Sequence, residues 1–287
     1  SGPQKRLLGA IAVFREPMPL ASFSGLNADL NLLDDLVEKG LARRIDSDNY
    51  DVHDLVREFL VRSMDDTLKA ELHNNAVEWY RKRTTNPADR IEFIHHLNSS
   101  GNMENLADVL AKDGRGLVKS GHIELLGILR GLESDGFSPT QWGLIRELRG
   151  DILSIQGRWD EAEQEYAAAI PTAKKYKEAE TLSRLLTAQA DIAVKRGAMD
   201  DALELHRRAL EIQIAKRDAE GAANSYISMG YIFRRRRDMR HALEVYGNVE
   251  ELLEAEDNPS LMNARIQLAS AFLEMGELDR ARDCLLY

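Results

Sequence analysis

The second half of the chain carries an apolar pattern with a long period. Its register is set by four alanines at intervals of 40, 40 and 39 residues: Ala162, Ala202, Ala242 and Ala281. Three of them are followed by a ring four residues later and a small apolar residue three further on: Tyr166 and Ala169, His206 and Ala209, Tyr246 and Val249. Positions i, i+4 and i+7 share one face of a helix. A fixed period of this length accommodates two helices and predicts a solenoid of helical hairpins.

Turns precede these alanines in the sequence. Gly157, Gly197 and Gly276 lie where the first helix of a hairpin should end, in a conformation that favours glycine. In the third hairpin Arg237 stands at this position, at the end of the run Arg234–Arg237. Cations at a helix C-terminus each stabilise it by about 0.3–1 kcal/mol. The run therefore fits a solvated helix end, and a contact with an anion or nucleic acid is the alternative.

The segment around Ala162, Tyr166 and Ala169 resembles the second helix of the tetratricopeptide repeat, and Gly150 and Gly230 match the small residue of its first helix. The usual repeat has about 34 residues. The hairpins here are about six residues longer, and they resemble the sensor arrays of large signalling ATPases.

The resemblance implies that the first helices line a concave face that binds a protein, peptide or small-molecule inducer. The predicted groove residues are Asp191, Asn224, Tyr231, Arg234 and Asn263. A solvated groove with incidental polar residues is the alternative. The Lys and Asn residues with which co-chaperone repeats hold a C-terminal carboxylate are not reproduced.

The first 66 residues show another pattern. A helix is predicted over 5–14, a short helix near Leu20, and a third helix from Asn27 to Gly40 with its apolar stripe on Leu30, Leu33 and Val37. Two strand-like runs follow at 41–45 and 50–52, joined by a polar turn. Three helices and a β-hairpin describe a winged helix.

Winged helices commonly bind DNA through the third helix. Here that helix carries four acids, Asp29, Asp34, Asp35 and Glu38, against Lys39 alone, and such a surface repels phosphate. Arg43 and Arg44 in the hairpin keep DNA binding as an alternative only.

The run Val52-His53-Asp54 resembles the hydrophobic-His-Asp triplet in the winged helix of the STAND class of signalling ATPases. The family often has Met where this chain has Val52. The resemblance implies that His53 contacts the β-phosphate of ADP held by a nucleotide-binding domain, while Asp54 caps the following helix. An ordinary capped helix start is the alternative for both residues.

Between these two parts, helices are predicted over 68–81, 89–98, 103–110 and 117–132, and they resemble the helical arm of maltose-regulator-like proteins. His95 and His96 are neighbours within a helix. Adjacent side chains there point about 100° apart, so the pair chelates poorly, and we expect no metal site.

Composition excludes several functions. The net charge of −10 gives no long-range attraction to nucleic acid or anionic membranes, and no apolar run approaches the ~18 residues of a membrane span. The single Cys284 fits a reducing cytoplasm. The sequence carries no phosphate-binding loop and no recognisable catalytic motif, so we expect no enzymatic activity and no cofactor in this chain.

The prediction is a mainly α protein with a winged helix over 1–66, a helical arm over 67–138 and about four repeats over 139–287, the last one truncated. The hypothesis is the regulatory and sensor part of a STAND-type ATPase, cut from a longer protein whose N-terminal NTPase domain binds ATP or ADP. The alternatives are a winged-helix DNA-binding regulator with a repeat sensor, and a plain repeat scaffold.

Overall fold

A computed structural model describes residues 2–26, 30–83, 85–252 and 259–286. The predicted start of the third helix, including Asn27 and Asp29, lies outside these residues. The described α-helices are α1 Gly2–Val13, α2 Leu30–Glu38, α3 Asp54–Ser63, α4 Asp66–Arg81, α5 Pro87–Ser99, α6 Met103–Lys119, α7 Leu125–Arg130, α8 Pro139–Ile155, α9 Trp159–Lys175, α10 Ala179–Lys195, α11 Met199–Lys216, α12 Ala219–Arg235, α13 Met239–Leu252, α14 Pro259–Met275 and α15 Leu278–Leu285. The strands are β1 Met18–Pro19, β2 Arg43–Arg44 and β3 Asn49–Asp51.

The chain divides into two compact units, residues 1–137 and 138–287, here called the N-terminal unit and the C-terminal unit. Within the described ranges, no helix is both long enough and apolar enough to cross a membrane.

The N-terminal unit begins with α1, strand β1, a 3-10 helix over Leu20–Leu26 and α2. Strands β2 and β3 form the predicted antiparallel hairpin, in which Arg43 faces Asp51. The sheet order is β1-β3-β2, because Met18 also pairs with Tyr50. The sequence analysis missed β1, since two residues that include a proline carry no alternating pattern.

The apolar stripe predicted for α2 is partly wrong. Leu33 is buried as predicted, but the second fully buried position is Leu36, and Leu30 is 50% exposed. Leu33 and Leu36 are three residues apart and therefore share one face of this nine-residue helix.

An ion-pair cluster fixes α3 against the rest of this unit. The buried carboxylate of Asp51 accepts hydrogen bonds from Arg43, at 2.7 Å, and from Arg57 on α3. Arg57 also donates to the backbone carbonyls of Ala12 and Phe14, beside the end of α1. These bonds define which face of α3 turns inwards.

The remaining helices of the unit differ in length from the prediction. Helix α6 continues past residue 110 to Lys119, since Leu110, Leu117 and Val118 are buried along one side and packing outweighs the helix-weakening glycines. Helix α7 is shorter than predicted, because a turn at Gly121 with positive φ separates it from α6.

The described residues of the C-terminal unit form four helical hairpins, α8–α9, α10–α11, α12–α13 and α14–α15. The second helix of each hairpin packs on the first helix of the next. The register alanines and the rings and small residues that follow them are all buried, as the periodic pattern predicts: Ala162, Tyr166, Ala169, Ala202, His206, Ala209, Ala242, Tyr246, Val249 and Ala281.

Within a hairpin, the ring fills the space left by a small residue sixteen positions earlier. A Cβ atom on Gly150 would lie 2.7 Å from Cδ1 of Tyr166, and one on Gly230 would lie 2.6 Å from Cζ of Tyr246. The same offset in the second hairpin joins Ala190 and His206, both fully buried. The larger ring thus faces glycine and the smaller ring faces alanine.

In each turn within a hairpin, one residue adopts a left-handed backbone conformation. Gly157, Gly197 and Gly276 have φ of 74°, 78° and 80°, and Arg237 has a φ of 64° at the same position. A left-handed conformation is unfavourable for a residue with a Cβ atom.

We expect Gly150→Ala to lower the free energy of unfolding by about 1–3 kcal/mol, because the new methyl group overlaps the Tyr166 ring. Urea unfolding measures the change. Gly143→Ala is the matched control: its methyl group would meet Thr172 at 3.8 Å, so it should be neutral or stabilising. Adding Tyr166→His to Gly150→Ala should recover part of the loss. Equal stability of the two alanine variants would contradict this account of the hairpin.

We expect Arg237→Gly to raise the free energy of unfolding by about 1 kcal/mol, since glycine adopts positive φ without steric conflict. Its neighbour Arg236 has a φ of −84°, so Arg236→Gly should instead destabilise the protein. Thermal unfolding of both variants measures these changes. A melting temperature of Arg237→Gly below that of the wild type would contradict the strain at Arg237.

Candidate functional site

The N-terminus of α3 presents the two predicted phosphate-site residues to solvent. His53 and Asp54 are both exposed. The prediction that Asp54 caps the helix is wrong: His53 occupies the N-cap position with extended backbone, and Asp54 is the first helical residue. The His53 side chain makes no capping hydrogen bond within the described residues.

The outer face of α3 is apolar. Leu55 is 76% exposed and Phe59 is 70% exposed. They lie one turn apart on the same side of the helix. Arg57, between them in the sequence, points to the opposite side and bonds to Asp51. The sequence analysis did not identify this surface, because its assignment needs the direction in which Arg57 points.

The basic residues of the β-hairpin are engaged within the unit. Arg43 pairs with Asp51 at 2.7 Å. Arg44 lies over the Tyr50 ring and donates to the backbone carbonyl of Ser47 at 2.9 Å. On α2, the acid Asp35 pairs with Lys39 at 2.6 Å.

Two of the predicted groove residues come together in the C-terminal unit. Asp191 on α10 and Tyr231 on α12 line a cavity of ≈ 250 Å³. Its other lining residues are Val194, Ile227, Ser228 and Gln267, which the sequence analysis missed. They could have been found as neighbours one helical turn from a predicted position, or at a 40-residue offset from it.

The other predicted groove residues connect to this cavity unequally. Arg234 donates to Oε1 of Gln267 at 3.0 Å and pairs with Glu274 at 3.5 Å. The Gln267 amide donates to Asn263 at 3.5 Å. Asn224 does not line the cavity, and its oxygen accepts from the Ser260 hydroxyl at 3.2 Å.

The position occupied by Asp191 recurs in the neighbouring hairpins with different chemistry. In the first hairpin the Tyr166 hydroxyl donates to Asp151 at 2.8 Å. In the second, Nε2 of His206 lies 4.0 Å from Oδ1 of Asp191. In the third the position is Tyr231, and the hydroxyl of Tyr246 has no hydrogen-bond partner among the described residues.

Burial changes the ionisation of the Asp191–His206 pair. It lowers the pKa of His206 to about 4 and raises the pKa of Asp191 to about 6, with Lys195 opposing the latter change. Asp191 lies among the residues that line the cavity, although 54% of its side chain is exposed to solvent. The pair is therefore a neutral imidazole beside a carboxylate that protonates readily.

A second cleft, of ≈ 390 Å³, lies where α9, α10 and α11 meet. Arg196 at its edge pairs with Asp160 at 2.5 Å and with Glu163 at 2.7 Å. The same contact recurs forty residues later, where Arg236 pairs with Asp200 at 2.6 Å. Within the arginine run, Arg234 and Arg236 thus hold neighbouring helices together.

Three histidines of the N-terminal unit could hold a metal. His73 on α4 meets His95 and His96 on α5, and one ring nitrogen of each lies within 4.8 Å of the others. The expectation of no metal site considered His95 and His96 alone, and nothing in the sequence pattern linked His73 to them.

Comparison with protein families matches residues 144–215 to the tetratricopeptide repeat. Comparison with curated proteins gives no match. Among solved structures, the chain is similar to a Signal Transduction ATPase with Numerous Domains (STAND) protein with a tetratricopeptide repeat sensor from Pyrococcus horikoshii, at 17% identity and a TM-score of 0.50. The match covers 98% of this chain and 49% of that one, so this chain spans about half of that protein.

Two further structures are similar to this chain at lower scores. BtubC (BKLC) from P. vanneervenii has 18% identity and a TM-score of 0.49, over 78% of this chain and 89% of its own. Aspartyl phosphate phosphatase F from Bacillus subtilis has 12% identity and a TM-score of 0.48, over 93% and 81%. The family match and the fold confirm the predicted tetratricopeptide-type helical repeats, an architecture used for protein interaction and sensing.

We expect His206 to make the protein lose stability as the pH falls from about 6.5 to about 4, because the folded state holds this imidazole neutral and the unfolded state protonates freely. The loss should be on the order of 1–3 kcal/mol. Asp191 acts in the opposite direction, since its raised pKa removes stability as the pH rises through the same interval.

The variant Ala190→Gly/His206→Tyr recreates the pair found in the flanking hairpins and isolates this effect. The free energy of unfolding is measured for both proteins at pH 7 and at pH 4.5. The difference, variant minus wild type, should be larger at pH 4.5 than at pH 7. Asp191 and the three histidines of the N-terminal unit remain in both proteins. A pH-independent difference would show that His206 does not titrate as described.

Proposed function

We propose that this chain is the regulatory and sensor part of a STAND-type signal-transduction ATPase. In this proposal residues 1–66 form a winged helix that contacts an NTPase domain located N-terminal to it in the full protein. The repeats bind an inducer or partner protein, and residues 67–138 pass this event to the winged helix. Release of the winged helix then permits exchange of ADP for ATP.

The observation that carries the proposal is the extent of the likeness to the STAND protein. It covers 98% of this chain, so it includes the N-terminal unit as well as the repeats. The order of helices and strands over residues 2–63, with a three-stranded sheet β1-β3-β2, supports the winged-helix assignment.

The surface of α3 supports a docking role for the N-terminal unit. Leu55 and Phe59 are exposed next to His53 and Asp54 at the helix N-terminus. Backbone N–H groups at a helix N-terminus favour anions. A neighbouring domain that holds ADP could place its apolar surface on Leu55 and Phe59 and the nucleotide phosphate near His53.

The repeat face supports the sensor role. The cavity at Asp191 and Tyr231 combines apolar side chains with a carboxylate, a hydroxyl and an amide, a mixture that suits a small polar ligand or a peptide side chain. In this proposal the chain itself catalyses no reaction and holds no nucleotide alone.

The alternative of DNA binding receives less support from the charges. Helix α2 carries Asp34, Asp35 and Glu38, followed by Lys39, and the hairpin arginines are engaged with Asp51, Tyr50 and Ser47. Lys39, Arg43 and Arg44 are therefore paired within the unit, which leaves them poorly placed to bind a phosphate backbone.

Two experiments test the proposal. The gene should encode a phosphate-binding loop, G-x-x-x-x-G-K-[ST], upstream of residue 1. A gene without such a loop would contradict the proposal. In the full-length protein, His53→Ala should speed the release of bound ADP by at least about tenfold, since the resting state loses a phosphate contact. Release of a fluorescent ADP analogue measures this rate.

His122→Ala provides the control, because this histidine pairs with Glu124 at 2.8 Å and lies away from α3 in the sequence. It should leave ADP release unchanged. Equal release rates for His53→Ala and the wild type would contradict the role of His53 in holding the nucleotide.

A further inference from the structure

Three imidazole rings form a closed triangle between α4 and α5. The ring centroids of His73 and His95 are 5.8 Å apart, those of His73 and His96 are 5.0 Å apart, and those of His95 and His96 are 5.2 Å apart. His73 and His96 are fully buried, while His95 is partly exposed. The cluster thus brings together three nitrogen ligand atoms, and one of the three residues, His95, is in contact with solvent.

The hydrogen bonds within this histidine cluster are only partly satisfied. Nδ1 of His73 lies 2.8 Å from Nδ1 of His96, so one of these atoms must donate a proton and the other accept it. Nε2 of His96 is buried and has no hydrogen-bond partner in the described part of the chain. Aromatic rings cover this histidine, with Tyr80 stacked at 5.5 Å and Phe14 edge-on at 5.2 Å. Burying a polar atom without a partner costs free energy, and a bound ion is one way in which such an atom is satisfied.

We propose that His73, His95 and His96 form a binding site for one divalent transition-metal ion of the Zn²⁺ type, with one ring nitrogen from each residue as ligand and a fourth position open to water. Imidazole nitrogen suits Zn²⁺, Cu²⁺ and Ni²⁺, whereas Mg²⁺ and Ca²⁺ prefer oxygen. Three histidines with an open position are a known arrangement for zinc.

The distances fit such an ion after a small adjustment. Zn²⁺ binds imidazole nitrogen at about 2.0–2.1 Å, so ligand atoms around it lie about 3.3 Å apart. The three ring nitrogens already lie within 4.8 Å of one another. His95 is the least buried of the three, so its side chain has the most room to adjust.

The electrostatic surroundings keep the three ligands unprotonated. Burial lowers the pKa of His73 to about 3 and of His95 to about 4, and it lowers the pKa of His96 well below its ordinary value. Two cations contribute to these shifts: Lys69 acts on His73 and His95, and Arg15 acts on His95 and His96. Arg15 is largely balanced by the buried Glu92, whose carboxylate accepts its hydrogen bonds at 2.5 and 3.1 Å. The three imidazoles are therefore in the neutral form, which is the form that coordinates a metal.

A metal at this site would join α4 to α5 beneath the end of α1, where Phe14 contacts His96. The site would therefore stiffen the junction between the segment that contains the sheet and the helices that follow it.

Titration of the metal-free, tag-free chain with ZnCl₂ at pH 7 tests the site by calorimetry. We expect one equivalent to bind, and His95→Ala to weaken the affinity by at least about tenfold. His95 is partly exposed, so this variant should remain folded, which circular dichroism checks. His122→Ala is the matched control from the same unit and should bind as the wild type does.

A second measurement needs no variant. Co²⁺ bound to the wild-type chain should give the visible absorption of a nitrogen-ligated, four- or five-coordinate ion, and Zn²⁺ should displace it. Zn²⁺, but not Mg²⁺, should raise the melting temperature. Absence of one-to-one Zn²⁺ binding, equal affinity of His95→Ala and the wild type, or loss of binding in His122→Ala would each overturn the proposal.

Discussion

The packing of a ring into the space of a missing side chain governs the C-terminal unit. Tyr166 fills the position that a Cβ of Gly150 would take, and Tyr246 does the same at Gly230. Protein interiors are packed nearly as densely as crystals, so such a contact allows little variation in helix position. The same sixteen-residue offset recurs in the first three hairpins, where it places the ring of the second helix and the small residue of the first helix in the buried interior.

Because this contact holds the two helices of a hairpin together, the residue type at the neighbouring positions differs between hairpins. The residue after the small one is Asp151, Asp191 or Tyr231 in successive hairpins, while the packing beneath it hardly changes. The surface chemistry of the repeats is thereby separated from their stability. Asp191 and Tyr231 face the same cavity, which explains how a regular array produces one local site with its own ionisation behaviour.

In the N-terminal unit, a few polar contacts rather than a repeated packing contact determine which surfaces are exposed. Arg57 fixes the inner side of α3 through its hydrogen bonds to the distant carbonyls of Ala12 and Phe14 and to the nearby Asp51. Leu55 and Phe59 therefore remain outside. Burying an ionic cluster carries a desolvation penalty, and its benefit is that it specifies one arrangement of the helix.

The period, the hairpins and even the left-handed turn at Arg237 followed from the sequence, because they rest on contacts between residues close in the chain that repeat at a fixed interval. The pairing of Met18–Pro19 with β3 and the meeting of His73 with His95 and His96 did not. Those contacts join segments more than twenty residues apart and occur once, so they leave no periodic signal. Tertiary packing alone decides them, since it determines which side chains face each other across elements.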